Sequence, residues 1–139
     1  MRIVLDTNIL LACIGRKSPY NLIFEKIIKN EIRLCISNSI LEEYEEILER
    51  RTSHEVAINV IKMLLKLENV LRFDPRYNWD LIINDPDDDK FVDCYVASSS
   101  DFLVTNDKHF NLLKNLPYPP VNVISVIDFM NILSSEKGS

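Results

Sequence analysis

Glycine is scarce in this chain, with only two among 139 residues, and no hairpin turn pattern separates its apolar runs. Missing too is any stretch approaching the roughly 20 apolar residues that cross a bilayer, so no membrane association is expected. The N-terminus carries one arginine, and Asp6-Thr7-Asn8 breaks its apolar stretch. That argues against a secretory signal and makes the cytoplasm the expected location. Cys13, Cys35 and Cys94 are odd in number, sit in apolar surroundings and show no CxxC spacing. The pattern reads as buried free thiols in a reducing compartment, in preference to zinc or redox chemistry. A basic excess is also absent: 16 lysines and arginines stand against 21 acids. Nucleic-acid-coating proteins are basic, so that class is excluded. An enzyme acting on nucleic acid is not, because acidic metal-binding residues offset local basic contacts. Repeats, low-complexity tracts and interdomain linkers are lacking, and the length suits one domain. That domain is expected over residues 1–133, with a frayed tail at 134–139.

What is present is a pair of aspartates, Asp6 and Asp107, each close behind a short apolar run: Arg2 to Leu5 and Phe102 to Thr105. Such runs read as buried strands that stop at a polar rim. In open parallel α/β sheets, chemistry collects in the crevice outside the carboxyl ends of the strands. Two acids there, far apart in sequence, point to one shared, acid-lined site.

Along the chain, Arg2 to Leu5 is the first expected strand and Ile9 to Leu11 a short helical turn. Ser18-Pro19 reads as the N-cap and first position of a helix running to about Asn30. Arg33 to Ser37 is a second strand. Ser39 to Glu42 has the form of a capping box opening a helix through Arg50, and Thr52 to Glu55 repeats it for a helix to about Glu68. Val70 to Phe73 is a short strand stopped by Asp74-Pro75. Arg76 to Pro86 reads as a loop anchored by Trp79 and Leu81-Ile82-Ile83. A helix from about Asp88 to Ser98, a strand from Phe102 to Thr105 and a short helix near Phe110 to Leu113 follow. A turn rich in proline (Pro117, Pro119, Pro120), a strand from Val121 to Ile124 and a helix from Ser125 to Leu133 complete the chain. Strands alternating with helices predict the α/β class: a three-layer α/β/α sandwich with a central parallel sheet. The order of the strands is not legible.

At about 100° per residue, Ile40, Leu41, Tyr44, Ile47 and Leu48 form one apolar stripe. Glu42, Glu46 and Glu49 lie opposite it, as surface charges. Glu43 and Glu45 flank the stripe; of the two, Glu43 is nearer the helix start, beside the carboxyl end of the second strand, and is the better candidate. Asp85, Asp87, Asp88 and Asp89 crowd one turn. One or two acids there serve as a helix cap, but four repel one another more than a cap needs, and a cation relieves that. Asp88 shares a face with Phe91, Val92 and Tyr95 and is expected to point inward; Asp87 and Asp89 cannot be oriented from periodicity. Singly, each acid has an ordinary explanation as cap or surface charge. Gathered together, they would repel and desolvate one another at a cost of several kcal/mol. A hard divalent cation removes that cost, and oxygen ligands suit Mg²⁺ or Mn²⁺. The chemistry implied is metal-dependent phosphoryl-ester hydrolysis.

At this point the residues resemble a family, the PIN-domain ribonucleases, and within it the small VapC-like toxins. Val4-Leu5-Asp6-Thr7-Asn8 is similar to the family's first motif, and the run from Ser37 through Glu43 to Tyr44 to its second. Asp85 to Phe91 corresponds to the third, and Leu103-Val104-Thr105-Asn106-Asp107 to the fourth. The resemblance implies that Asp6, Glu43, Asp88 and Asp107 hold Mg²⁺ or Mn²⁺ and that activated water cleaves single-stranded or looped RNA. Thr7, Asn8, Ser37, Asp85, Thr105 and Asn106 are the implied supports. Arg16, Lys17, Lys90 and Lys108 are candidate contacts to RNA phosphate. No histidine is required: His109 reads as an exposed helix-start residue and His54 as surface. The resemblance also implies a homodimer and a small antitoxin whose tail covers the site. The broad apolar face of the helix at 53–68 (Val56, Val60, Ile61, Leu64, Leu65) is the candidate dimer surface. Two other readings stay open: a Mg²⁺-dependent phosphatase or phosphotransfer domain using Asp6, and a catalytically silent RNA-binding module of the same fold. Against the phosphatase, Asn8 stands where a second aspartate is wanted.

Overall fold

The apolar runs form five short strands: β1 (Arg2–Leu5), β2 (Arg33–Ile36), β3 (Val70–Arg72), β4 (Phe102–Val104) and β5 (Val123–Ile124). The computed structural model describes residues 1–81, 86–116 and 119–137. The strands make one sheet in the order β3-β2-β1-β4-β5. Every pairing is parallel, and Ile3 of β1 stands opposite both Leu34 of β2 and Phe102 of β4. Ile3, Val4 and Leu5 are completely buried, as a central strand covered on both faces requires.

Among the described residues six α-helices accompany the sheet: α1 (Thr7–Cys13), α2 (Asn21–Ile28), α3 (Asn38–Arg51), α4 (His54–Lys66), α5 (Asp89–Ser98) and α6 (Val126–Lys137). Two 3₁₀ segments, Pro86–Asp88 and Lys108–Asn115, precede α5 and β5. The chain steps outward from β1 to β2 to β3, then crosses back to β4. With right-handed crossovers, α1 to α4 cover one face and α5 the other. This is the expected three-layer α/β/α sandwich. β1 and β4 are neighbours whose outgoing connections run in opposite directions, so the crevice of an open α/β sheet opens between their carboxyl ends.

Several local expectations are corrected. The cap of α3 is Ser37, whose hydroxyl accepts from the Ile40 N–H at 3.2 Å, and Ser39 lies inside the helix. Ser37 is still extended as it leaves β2, which is the backbone a cap needs. Likewise Ser53 caps α4 through the Val56 N–H, while Thr52 turns its hydroxyl back onto the Leu48 carbonyl and closes α3. Ser18 does not start a helix: it donates to the Ala12 carbonyl and accepts from Tyr20 N–H, shaping the turn before α2. α1 is longer than the expected turn, β5 begins at Val123 rather than Val121, and α6 continues past Leu133 to Lys137. The expected anchors Ile82 and Ile83, the aspartate Asp85 and Pro117 lie outside the described residues.

The three cysteines are buried and free, as expected. Of the broad face on α4, Val60, Ile61 and Leu64 are buried with Ala57, and α4 lies against α3, so most of that face is core. Val56 and Leu65 remain exposed. No helix among the described residues is long and apolar enough to cross a membrane. With so little glycine, left-handed backbone falls to other residues: Asn30 after α2 (φ 63°) and Ser99 at the end of α5 (φ 52°).

Candidate metal centre

Asp6 is the residue on which β1 ends and α1 begins. Its N–H donates to the Val104 carbonyl of β4, and its own carbonyl accepts from Ile9 and Leu10, opening the helix. The carboxylate is buried, and its Oδ2 accepts from the Thr105 hydroxyl at 2.7 Å. That same hydroxyl accepts from the Asp107 N–H at 3.0 Å. Thr105 therefore ties the two aspartates of the crevice together. Burial, above all, pushes the Asp6 carboxyl pKa up. The Thr105 hydrogen bond pulls it down, and the charges of Asp107 and Glu43 push it further up. Like charges thus converge on Asp6 from β4 and α3.

Glu43 reaches the same region from the second turn of α3, placed there by the Ser37 cap. One carboxylate oxygen accepts from the Thr7 hydroxyl in the first turn of α1, and the other pairs with the Lys90 ammonium at 2.8 Å. Lys90, expected as a phosphate contact, is engaged with Glu43 instead of turned to solvent. Next to it on α3, Tyr44 is completely buried and donates its hydroxyl to the Leu5 carbonyl, bracing the strand end before Asp6.

The aspartate turn resolves into different roles. Asp87 is exposed and lines a groove of about 510 Å³ with Glu43, Glu46, Arg50 and Lys90. Asp89 is buried, and its charge helps raise the pKa of Asp93, after burial as the main cause. Asp88, buried and at the junction into α5, has its Oδ2 3.7 Å from His109 Nδ1. His109 Nδ1 also lies 3.4 Å from Asp107 Oδ1. One ligand atom from each of Asp88, Asp107 and His109 falls within 4.8 Å of the others. His109, exposed at the start of the 3₁₀ segment as expected, thus also lies beside two of the acids. The signal was its place two residues after Asp107, which caps the 3₁₀ segment by accepting from the His109 N–H at 2.9 Å.

The remaining expected residues divide. Asn106 is exposed and caps α6 by accepting from Val126 N–H, and Asn8 is exposed. Both line a cleft of about 280 Å³ with Asp6, Asp107 and Tyr20. Lys108 is exposed next to Asp107. Arg16 borders a different hollow, with Asn21, Phe24 and Met63, and Lys17 is exposed in the same turn. A larger hollow of about 570 Å³, lined by Tyr95, Leu113 and Val121 among others, contains none of these acids. The carboxylate oxygens are donors that suit Mg²⁺ or Mn²⁺.

Comparison with known proteins bears on the family and the fold. The PIN domain profile matches residues 2–109. VapBC2 from Rickettsia felis, solved bound to a DNA fragment from their promoter, is similar in structure, with a TM-score of 0.63 at 18% identity over 90% of this chain and 98% of that chain. VapBC-1 from nontypeable Haemophilus influenzae gives 0.61 at 16% identity over 91% and 99%. VapC20 from Mycobacterium tuberculosis, described as a sarcin-ricin loop cleaving toxin, gives 0.57 at 15% over 79% and 93%. At such identities the likeness is one of fold. No curated protein sequence matches.

Proposed function

The chain belongs to the PIN-domain family, and from that premise we propose that it is a divalent-metal-dependent ribonuclease hydrolysing phosphodiester bonds of single-stranded or looped RNA. The observation that supports this reading is that acids of separate segments act on one another: the charges of Asp107, after β4, and Glu43, on α3, bear on buried Asp6, after β1, while Asp88, before α5, lies beside Asp107 and His109. Charge repulsion that burial alone leaves unrelieved is what a hard cation offsets. When bound, Mg²⁺ or Mn²⁺ supplies activated water and stabilises charge on the phosphodiester.

The protein's own contribution is placement. Thr105 orients Asp6, Thr7 and Lys90 orient Glu43, and Asp107 fixes the segment that carries His109. Asn8 and Asn106, both exposed, line the cleft with Asp6 and Asp107, where they would meet a bound RNA strand. Exposed Lys108, with Arg16 and Lys17 in the α1–α2 turn, offers phosphate contacts.

Within this reading the protein is the toxin of a toxin–antitoxin pair, supported by the VapBC complexes among the similar structures. Its partner is a small antitoxin that covers the cleft. A homodimer would use the exposed Val56 and Leu65 of α4.

Incubating the protein with a labelled RNA containing a loop, in Mg²⁺, in Mn²⁺ and in EDTA, tests the reading. Cleavage is expected with either ion and is expected to stop in EDTA and return on adding metal. Cleavage that persists in EDTA contradicts it.

A further inference from the structure

The four acids explain charge and hardness of the centre, but they do not explain why an imidazole stands among them. His109 follows Asp107 by two residues, and the Asp107 carboxylate holds its backbone N–H at 2.9 Å. That local lock turns the ring back across the start of the 3₁₀ segment, toward the acids. Nδ1 ends 3.4 Å from Asp107 Oδ1 and 3.7 Å from Asp88 Oδ2, while just over half of the side chain stays in contact with solvent.

Around an octahedral ion with bonds near 2.1 Å, neighbouring ligand atoms sit about 3 Å apart and opposite ones about 4.2 Å apart. The spacings around His109 fall in that range. All three donor atoms lie within 4.8 Å of one another, so a small shift brings each to bonding distance of one ion. The three come from two segments, the Pro86–Asp88 turn and the loop after β4, that the fold fixes independently.

We propose, on the reading that the centre binds a divalent cation, that His109 is a nitrogen ligand in it and biases the site toward Mn²⁺ over Mg²⁺. Mg²⁺ gives up its waters reluctantly and demands a near-ideal octahedron, whereas Mn²⁺, though it too suits oxygen donors, is a transition ion that tolerates an imidazole nitrogen better. An all-carboxylate site gives no such bias. An imidazole replacing one oxygen does, and its loss costs Mn²⁺ more than Mg²⁺.

The competing role for His109 is that of a neighbour, held beside Asp88 and Asp107 by its own backbone without binding the ion. The two roles predict different effects of removing the ring. As a ligand, its removal weakens metal binding; as a neighbour, its removal leaves binding unchanged.

The test uses the full chain loaded with Mn²⁺ alone or Mg²⁺ alone, with binding measured by calorimetry and the Mn²⁺ environment by pulsed electron paramagnetic resonance. The chain has two histidines, so the assignment needs only His109→Ala, His109→Gln and, as a control, His54→Ala. The exposed ring makes both His109 variants compatible with folding, checked by circular dichroism. Expected are a histidine-type nitrogen modulation in the wild type and in His54→Ala, its loss in both His109 variants, and a fall of about 10-fold or more in Mn²⁺ affinity. Mg²⁺ affinity should change much less. Mn²⁺ bound without nitrogen coupling in the wild type overturns the assignment, and so does unchanged or tighter Mn²⁺ binding by His109→Ala, while the metal reading itself survives. A wild type that binds no Mn²⁺ overturns both.

Discussion

The Lys90 ammonium lies 2.8 Å from Oε1 of Glu43, joining α5 to α3 at the edge of the acid cluster. Both side chains are about one-fifth exposed, so the pair is better shielded from water than a surface ion pair. It offsets one negative charge close to Asp6, whose own carboxyl is already pushed up by the charges of Asp107 and Glu43. Lys90 thus stands in the protein's own interest before any ion arrives: it keeps Glu43 in place beside Thr7.

Lys90→Met tests that role. The stem is preserved and the charge removed, leaving Glu43 without its counter-ion. In EDTA the variant should be less stable by about 1 kcal/mol, read as a lower midpoint of urea unfolding. Saturating Mn²⁺ should narrow the gap, because the ion supplies the missing positive charge. An unchanged midpoint in EDTA would show that the pair contributes nothing.

Asp6→Asn separates chemistry from folding. Burial and like charges raise the folded-state pKa of Asp6 above the ordinary 3.8. Between the unfolded and folded values the folded chain binds more protons, so stability falls as pH rises through that window, and the penalty is complete above it. The metal-free variant should therefore melt a few degrees above wild type at neutral pH, with the gain disappearing as pH falls toward 3.8. RNA cleavage should fall by at least about 100-fold. A variant that melts lower at neutral pH in EDTA would contradict the electrostatic account of the pocket.

Ser37→Ala should cost about 1 kcal/mol, the usual loss for an N-cap, whereas Ser39→Ala should be close to neutral. Thermal unfolding of the two variants distinguishes the observed cap from the one that the Ser39 to Glu42 pattern suggests.

Ser99→Gly should stabilise the protein by roughly 0.5–1 kcal/mol. A non-glycine residue at φ 52° is strained, and glycine relieves that strain at a smaller entropic cost. Ser99 is exposed, so little packing is lost. A lower melting temperature for the variant would refute the strain argument.

How much of this was legible beforehand follows from what each signal depends on. β1 and β4 were readable because a central parallel strand buries both faces and so appears as an unbroken apolar run that stops at a polar rim. Asp6 and Asp107 came with them. Glu43 was readable from helical phase, since the Tyr44 and Leu48 stripe leaves it at the margin. The caps were misplaced because Ser39 and Thr52 satisfy the capping-box pattern while Ser37 and Ser53 have the required extended backbone, which sequence does not display. His109 is an exposed residue at a helix start, as its position implies, but its approach to Asp88 and Asp107 is set by the Asp107 cap, which no periodicity displays. Lys90 and Glu43 are 47 positions apart, and their pairing depends on how α5 meets α3. Strand order was equally hidden, since apolar runs say that strands are buried but not which neighbours bury them. Asp85 lies outside the described residues, so its expected supporting role remains a proposal.

The central claim is that distant carboxylates form one pocket for a hard cation. Anomalous diffraction from a Mn²⁺-soaked crystal measures this directly. The account predicts a peak in the crevice between β1 and β4, within bonding distance of Asp88 and Asp107 and adjacent to Asp6. A Mn²⁺-saturated crystal with no peak there, or with its strongest peak away from these aspartates, would contradict it.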